Sequence, residues 1–170
     1  MSGQEHEAHE GFDAYMTARW ATFVRSLVLL GCSPHEAEDV VQTGLIRCLT
    51  SWDRVRRADD VDAYVYRTIL NCWSKSRRRK WWGERPTETL PDDADHGDPA
   101  DVVVLRRTVV AALERLSPEH RTVLVLRFVA DLTEAQVAAT LGIPVGTVKS
   151  RVARALDKIQ LTDLREEEAS

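Results

Sequence analysis

The fold is decided by the stretch LSPEHRTVLVLRFVADLTEAQVAATLGIPVGTVKSRVARALDKIQ, residues 116–160. Its apolar spacing predicts a helix, a short second helix, a tight turn and a third helix. Thr133 and Gln136 stand three residues apart, as in a capping box, and Gly142 supplies the left-handed backbone that a sharp turn needs. Pro144 prevents the short helix from continuing. The pattern over residues 133–156 is typical of a helix-turn-helix that places its last helix in the major groove of DNA.

That last helix has one apolar face and one basic face. The residues at helical spacing that are expected to face the core are Val148, Val152, Ala155 and Ile159. The opposite face carries side chains that contact phosphates and base edges. They are Thr147, Lys149, Ser150, Arg151, Arg154 and Lys158. The alternative is a helical hairpin whose cations form a plain solvated face, but the cap, the glycine turn and the cations together favour DNA binding.

A second basic helix is predicted over residues 61–82. Its core side is expected to hold Val61, Val65, Ile69 and Cys72. Its other face and its end carry Tyr64, Arg67, Asn71, Ser74, Lys75, Arg77, Arg78, Arg79 and Lys80. Aromatic rings beside cations suit unstacked bases and a single-strand backbone. The alternative is that Tyr64 and Trp73 are core residues and that the basic run is an ordinary helix end, stabilised by the helix dipole.

Helical signals dominate the rest of the chain, and no segment alternates like a β-strand, so the sequence predicts an all-α fold. A helix is expected over residues 12–30, and Ser33 and Pro34 begin the next, which is expected to end near Trp52. A polar loop, residues 53–60, precedes the basic helix. Residues 83–100 hold three prolines and many acids and are interpreted as a flexible acidic linker. Two small helical domains are therefore expected, at residues 12–82 and 101–162.

One face of the helix that begins at Ser33 is unusual. Asp39, Gln42 and Ile46 lie away from its apolar stripe, with Arg47 beside them. An exposed isoleucine among polar groups can mark the place where a partner helix docks, although a single exposed apolar residue needs no explanation.

The overall charge hides the basic character of the helices. The 170 residues include 27 acids and 23 bases, for a net charge of −4. Thirteen acids cluster in residues 5–10, 84–101 and 166–168, and outside these stretches 22 bases face 14 acids. The folded parts are expected to be basic, as a nucleic-acid partner requires.

Several other kinds of site are not expected. Cys32, Cys48 and Cys72 form no CxxC pair and are interpreted as buried free thiols, and the five histidines are scattered, so neither a metal nor a cofactor is predicted. No apolar run reaches the roughly 18 residues needed to cross a bilayer, and the polar N-terminus is unlike a signal peptide. The protein is expected to be soluble and cytoplasmic.

Three stretches carry a family resemblance: EAEDVVQTGLIRCL (residues 36–49), DAYVYRTILNCWSKSRRRKWW (residues 62–82) and residues 116–156. In this order they resemble the extracytoplasmic-function (ECF) sigma factors of the sigma-70 superfamily, most of all the actinobacterial sigma-E type. The resemblance implies a region 2 bundle at residues 12–82, a region 4 helix-turn-helix at residues 101–162, and a non-enzymatic subunit that directs RNA polymerase to promoters. The chain departs from the family pattern at Thr43 and Gly44, where an acid and a phenylalanine are usual.

The resemblance also implies roles for individual residues. One set matches the family residues that dock on the clamp helices of the β′ subunit of the polymerase core: Glu38, Asp39, Val40, Val41, Gln42, Leu45 and Ile46. A second set matches the family residues that melt the minus-ten element and read its non-template strand: Tyr64, Arg67, Asn71, Ser74, Lys75, Arg77 and Arg78. Residues 53–60 match the family's pocket for a flipped-out base. Reading the minus-thirty-five duplex corresponds to Thr147, Lys149, Ser150, Arg151 and Arg154. The β subunit and an anti-sigma factor are further partners that the family suggests, and the linker matches the strap that lies in the nucleic-acid channels of the polymerase.

Three other functions were weighed against this one. A helix-turn-helix regulator would bind duplex DNA without polymerase, as a two-fold symmetric dimer. An enzyme acting on nucleic acid would need a nucleophile or metal-binding carboxylates near the basic surfaces, and the acids cluster elsewhere. An adaptor that never touches DNA would leave the basic face at residues 147–154 without a purpose.

Overall fold

The protein was analysed as a computed structural model that describes residues 2–83 and 100–168, with side chains described for residues 10–81 and 104–160. The described residues form helices and no strand, which confirms the all-α prediction. The helices are α1 (Ser2–Leu29), α2 (Pro34–Leu49), α3 (Trp52–Val55), α4 (Val61–Gly83), α5 (Ala100–Glu114), α6 (Pro118–Leu124), a π-helical turn (Val125–Val129), α7 (Glu134–Leu141) and α8 (Val145–Glu168).

Local signals in the sequence set most of the helix ends. Ser33 and Ser117 cap α2 and α6, and each is followed by a proline at the first helical position. Thr133 and Gln136 form the predicted capping box of α7, with hydrogen bonds of 2.8 and 3.2 Å. Gly142 ends α7 in the left-handed conformation, at φ 66°. Each cap satisfies a backbone group that the helix itself leaves unpaired.

Three predicted boundaries were wrong. Helix α1 begins at Ser2 rather than near residue 12, because a formed helix extends at little cost through residues that do not break it. The predicted loop at residues 53–60 starts with the short helix α3, in which Trp52 and Val55 point into the core. Helix α8 continues to Glu168. The predicted linker lies mostly outside the described residues, but its ends, Gly83 and Ala100, belong to α4 and α5.

The first half packs α1, α2 and α4 around a common core. Phe23 from α1, Val41 from α2 and Tyr66 from α4 are each less than 2% exposed. Aromatic edges fill the space between α1 and its neighbours: the Phe23 and Tyr66 rings lie 4.9 Å apart, and the Phe12 and Trp52 rings 5.3 Å apart, both near perpendicular. Such edge-to-face pairs stabilise a fold by more than the burial of their apolar area alone would.

The two halves share one hydrophobic core. Buried residues of α6, the π-helical turn and α7 belong to the same cluster as those of α1, α2 and α4. The turn packs on α1, and α7 packs on α4. Polar contacts accompany this packing, since the guanidinium of Arg121 donates to the carbonyl of Leu29 and the hydroxyl of Thr140 donates to the carbonyl of Ala63. The two domains that the sequence predicts therefore pack as one body in this structure.

The three cysteines are buried free thiols, as predicted. Burial raises the pKa of the Cys32 thiol to about 12, and the neighbouring carboxylate of Glu36 acts in the same direction. Burial also raises the pKa of Cys48. The thiols of Cys32 and Cys48 therefore remain protonated at neutral pH and behave as small apolar groups. Among the described residues, no helix is long and apolar enough to cross a membrane.

Gly44, where the chain departs from the family pattern, lies at the closest approach of α2 and α4. A Cβ at this position would stand 2.7 Å from Cγ1 and 3.2 Å from Cα of Ile69. The second distance is to backbone, which cannot move away as a flexible side chain can. A glycine is therefore required by the spacing of these two helices.

Gly44→Ala is expected to lower the free energy of unfolding by about 1–3 kcal/mol, because overpacking outweighs the better helix propensity of alanine. Gly146→Ala is the matched control, since Gly146 also lies in a helix and a Cβ there meets nothing within 4 Å. The control is expected to leave stability unchanged or to raise it by about 0.5–1 kcal/mol. Urea unfolding followed by circular dichroism measures both, and equal stabilities of the two variants would contradict the close-approach argument.

Candidate nucleic-acid interface

Helix α8 presents the predicted basic face to solvent. Val148 and Ala155 are fully buried, and Val152 and Ile159 are half-buried against the core, so the apolar face is as predicted. Of the opposite face, Lys149, Ser150 and Arg154 are exposed, and Thr147 and Arg151 are half-buried. The turn at Gly142 brings α8 across α7, and Lys149, Ser150 and Arg154 of its N-terminal half face solvent. This is the arrangement in which a helix can enter the major groove.

Two of these cations already have acidic partners. Arg151 lies 3.5 Å from Glu119 of α6, and Lys149 lies 3.7 Å from Glu134 of α7. Glu119 is 69% exposed, and ion pairs in such positions contribute little to stability. A phosphate can therefore replace either carboxylate without a large loss. Until then, the two carboxylates hold the Arg151 and Lys149 side chains at the protein surface that would face DNA.

His120 reports the positive field around this face. Partial burial lowers the pKa of its imidazole, and the charges of Lys158, Arg151 and Arg154 act in the same direction. Nδ1 of His120 lies 3.3 Å from Nζ of Lys158. The cations of α8 thus act together on α6, and an anion bound between them would be attracted by all of them.

Helix α4 presents the second face. The side chains on it that are exposed are Arg67, Asn71, Ser74, Lys75, Arg77 and Arg78. Tyr64 and Trp73 are half-buried and pack against the core, so the alternative prediction holds in part for these two rings. The guanidinium of Arg77 lies over the Trp73 ring, 5.2 Å from its centre, which fixes a cation above an aromatic surface.

Helix α2 divides the predicted polymerase-docking residues into two groups. Val40, Val41 and Leu45 are at most 5% exposed, so in this structure they hold the helix in place and cannot contact a partner. The exposed group consists of Glu38, Asp39, Gln42 and Ile46. Ile46 is 55% exposed. Asp39 lies 3.7 Å from His35 one turn earlier, an exposed pair that leaves the carboxylate accessible. We call the exposed group the α2 face.

Asp60, which no sequence pattern singled out, contacts both halves. Its Oδ1 accepts the backbone N–H of Ala63 at 2.9 Å and so caps α4. Its Oδ2 accepts a hydrogen bond from Nε2 of Gln136 at 2.8 Å. Oε1 of the same glutamine caps α7 through the N–H of Thr133. An aspartate before an apolar helical run is a recognisable N-cap signal, but its second partner, 76 residues away, has no signal in the sequence.

This contact has a consequence for the predicted pocket at residues 53–60. Asp60 is the last residue of that segment, and helix α7 packs on the beginning of α4 beside it. In this structure the second half of the chain therefore covers one end of the segment expected to receive a flipped-out base.

No group of three or more histidine, cysteine, aspartate or glutamate side chains that could hold a metal ion occurs among the described residues.

Comparison with known proteins identifies the family. The model of sigma-70 region 2 matches residues 16–83, and the model of sigma-70 region 4 matches residues 112–161. The RNA polymerase sigma-E factor of Streptomyces avermitilis is 34% identical over 154 residues, which cover 88% of this chain and 83% of that protein. The ECF RNA polymerase sigma factor SigW of Bacillus subtilis is 30% identical over 149 residues, covering 76% and 78%.

The chain belongs to the sigma-70 family of RNA polymerase sigma factors. It falls in the ECF group of that family, as its sequence resemblance indicated. The chain is therefore a sigma factor rather than an ordinary helix-turn-helix regulator.

The fold of this sigma factor is similar to two solved structures. One is the sigma factor RpoE in complex with the anti-sigma factor NepR from Bartonella quintana, with a TM-score of 0.71 and 23% identity, covering 89% of this chain and 95% of that one. The other is CnrH in complex with the cytosolic domain of CnrY, with a TM-score of 0.66 and 22% identity, covering 94% and 95%. At these identities the likeness concerns the fold.

Gln136→Glu tests the contact between the halves. The substitution keeps an oxygen to cap Thr133, but it removes the donor to Asp60 and places two carboxylates together. We expect a loss of about 1–3 kcal/mol in the free energy of unfolding in urea, the usual range for a hydrogen bond to a charged group.

The double variant Asp60→Asn with Gln136→Glu is the control. It exchanges donor and acceptor, keeps an oxygen for the cap of α4, and is expected to recover most of the loss. A single variant as stable as the wild type would show that the contact contributes nothing.

Proposed function

We propose that this sigma factor binds the RNA polymerase core as a non-enzymatic subunit and directs initiation at specific promoters. The observation that carries the proposal is the pair of exposed cationic faces on different halves of one small chain. The face of α8 suits duplex DNA, and the face of α4 adds an amide and aromatic rings suited to unpaired bases. A protein that only anchors to duplex DNA has no use for the second face.

The α2 face is the surface that we assign to the polymerase core, at the clamp helices of β′. It combines an exposed apolar side chain, Ile46, with the carboxylates of Glu38 and Asp39 and the amide of Gln42. An apolar centre with a polar surround is the usual anatomy of a specific protein interface. The buried residues Val40, Val41 and Leu45 contribute by fixing the orientation of the helix.

The α4 face is assigned to the minus-ten element and its non-template strand, and the α8 face to the minus-thirty-five duplex. Linking the two contacts through the polymerase makes the second contact intramolecular, so two modest affinities combine into a strong one. Use of the pocket at residues 53–60 requires α7 to leave Asp60. We therefore infer that the two halves separate when the protein acts.

Three expectations extend beyond the described surfaces. The predicted path of the acidic linker through the polymerase concerns residues 84–99, which lie outside the described part of the chain. An anti-sigma partner and the β subunit stay predictions from the family resemblance. The site of action that follows from a polymerase partner is the cytoplasm.

Transcription in vitro tests the proposal directly. Purified core polymerase is incubated with genomic promoter fragments, with and without the chain, and the 5′ ends of the transcripts are mapped. New start sites that appear only with the chain support the proposal. Specific binding to the same fragments without polymerase, and no new transcripts with it, would favour an ordinary DNA-binding regulator.

Charge reversal on the α2 face is expected to weaken association with the polymerase. Asp39→Arg and Gln42→Arg each replace an exposed group at the centre of this surface, and we expect at least a tenfold loss of affinity, or about 1.4 kcal/mol. Asp13→Arg, an exposed aspartate on α1, is the matched control. Fluorescence anisotropy with core polymerase provides the measurement, and equal affinities of all three variants would remove the docking assignment.

Truncation of the α8 cations is expected to weaken binding of the minus-thirty-five duplex. Arg154→Ala or Arg151→Ala costs about 1–3 kcal/mol where the guanidinium reads a base, and lowers the slope of log K against log salt by about one where it meets a phosphate. Arg25→Ala, on the exposed surface of α1, is the control for loss of one positive charge. Titration of the polymerase complex at several salt concentrations separates the two modes. If substitution of an arginine changes neither the affinity nor the slope, that arginine does not contact the minus-thirty-five duplex.

A further inference from the structure

Trp81, near the end of α4, is the side chain that the proposed function leaves unexplained. It is 89% exposed, although the two halves of the protein pack together elsewhere. A tryptophan is costly to leave in water, because it carries a large apolar area. At helical spacing on the preceding turn, its neighbours are the cations Arg77 and Arg78.

Trp81 continues the line of polar side chains along α4. The residues of that line follow one another at intervals of three or four: Tyr64, Arg67, Asn71, Ser74, Arg78 and Trp81. Side chains at this spacing lie along one side of a helix. At about 1.5 Å per residue the line is about 25 Å long, with an aromatic ring at each end. The Tyr64 end lies beside the contact between the halves, and the Trp81 end is open.

The charge around Trp81 selects the partner. No acid occurs between Asp62 and Glu84, while six cations do. Lys75, Arg77, Arg78 and Arg79 are all exposed within the two turns before Trp81. Lys80 is held by Glu36 at 2.9 Å on the side facing α2, which leaves the other cations to the outer surface. A flat apolar ring beside several exposed cations is complementary to a polyanion that also offers flat apolar surfaces.

A single strand of nucleic acid fits this surface better than a duplex does. Bases in a duplex are already stacked on both sides, so an exposed ring gains little from them. An unpaired base has a free face, and stacking on an aromatic side chain stabilises it whatever its identity. The phosphates of the same strand would lie along the exposed cations, since about 25 Å of helix accommodates several nucleotides.

We propose that Trp81 is a stacking platform for one unpaired base of the DNA strand that runs along α4. This inference rests on the proposed function and deepens it, because it adds a contact at the open end of the strand-binding face. The contact depends on shape and not on base identity. Trp81 therefore contributes affinity for separated strands and no sequence preference of its own.

The test compares substitutions at Trp81 on pre-melted promoter DNA bound by the complex with core polymerase, and on a fluorescein-labelled 20-nucleotide single strand bound by the full chain alone. Trp81→Ala is expected to weaken binding about 5- to 150-fold, the effect of losing one stacked base. Trp81→Phe should retain most of the affinity. Trp81→Leu, which keeps apolar area without an aromatic face, should resemble Trp81→Ala.

Removing the base tests stacking directly. Strands with a single abasic position are scanned along the sequence, and one position is expected at which wild type and Trp81→Ala bind equally well. Phe128→Ala is the matched control on the full chain alone, because Phe128 is an aromatic residue that is 59% exposed in the other half of the protein. It should leave affinity for the single strand unchanged.

The outcomes separate this inference from the proposed function. Equal binding by wild type and Trp81→Ala in both assays overturns the stacking platform, and so does the absence of strand binding in both. A loss of polymerase affinity with no DNA present would make Trp81 a protein contact and also overturns it. The chain could fail to support transcription and yet, in the strand assay, lose affinity with Trp81→Ala, keep it with Trp81→Phe and show one abasic position at which wild type and Trp81→Ala bind equally. In that case the proposed function fails and the stacking platform stands.

Discussion

The carboxylate of Asp60 links the two halves of this sigma factor by a hydrogen bond, beside the hydrophobic core that they share. Asp60 caps α4 through the N–H of Ala63 and accepts a hydrogen bond from Gln136, which in turn caps α7 through Thr133. The beginnings of two helices from different halves are thus held by one continuous set of hydrogen bonds. Charge-assisted hydrogen bonds are stronger than neutral ones, so this contact helps to fix the position of α7 relative to α4. The helix-turn-helix is placed through α7, so its position on the first half follows from the same contact.

The contact between the halves competes with the proposed use of the same surface. Asp60 ends the segment expected to receive a flipped-out base, and Tyr64, one turn further on, begins the strand-binding line. The hydrogen bonds from Gln136, Thr140 and Arg121 to the first half contribute about 1 kcal/mol each, and apolar packing adds to them. A partner can shift the equilibrium toward the separated form only by the free energy with which it prefers that form. A polymerase that binds only the separated halves shifts the equilibrium by RT ln(1 + c/Kd), where c is the concentration of free polymerase. This shift is about 4 kcal/mol at a thousandfold excess over Kd and is comparable to the hydrogen-bond contribution.

The features that the sequence predicts well are those set by neighbouring residues. The caps at Ser33, Ser117 and Thr133 and the turn at Gly142 are local, because each depends on side chains within a few positions. The same holds for the apolar face of α8. The features that it misses are set across the fold: the burial of Trp52 that forms α3, and the pairing of Asp60 with Gln136. Gly44 shows the difference clearly. No neighbouring residue in the sequence requires a glycine there, and the requirement arises only because α4 passes close to α2.

The same distinction explains why the sequence predicts which side chains are exposed better than it predicts which of them have ion-pair partners. Helical spacing correctly placed the exposed cations of α4 and α8, but it could not show that Arg151 and Lys149 already have the carboxylates of Glu119 and Glu134 beside them. These pairs are exposed and exchange readily, because water and salt screen them. DNA offers many phosphates in place of single carboxylates, and binding them releases condensed counterions that an isolated carboxylate does not hold. The acids near α8 are therefore weak competitors that a polyanion displaces. The stretch of α4 between Asp62 and Glu84 has no acid of its own. Glu36 of α2 pairs with Lys80, and Arg77 lies over the Trp73 ring, while the remaining cations of the stretch are exposed.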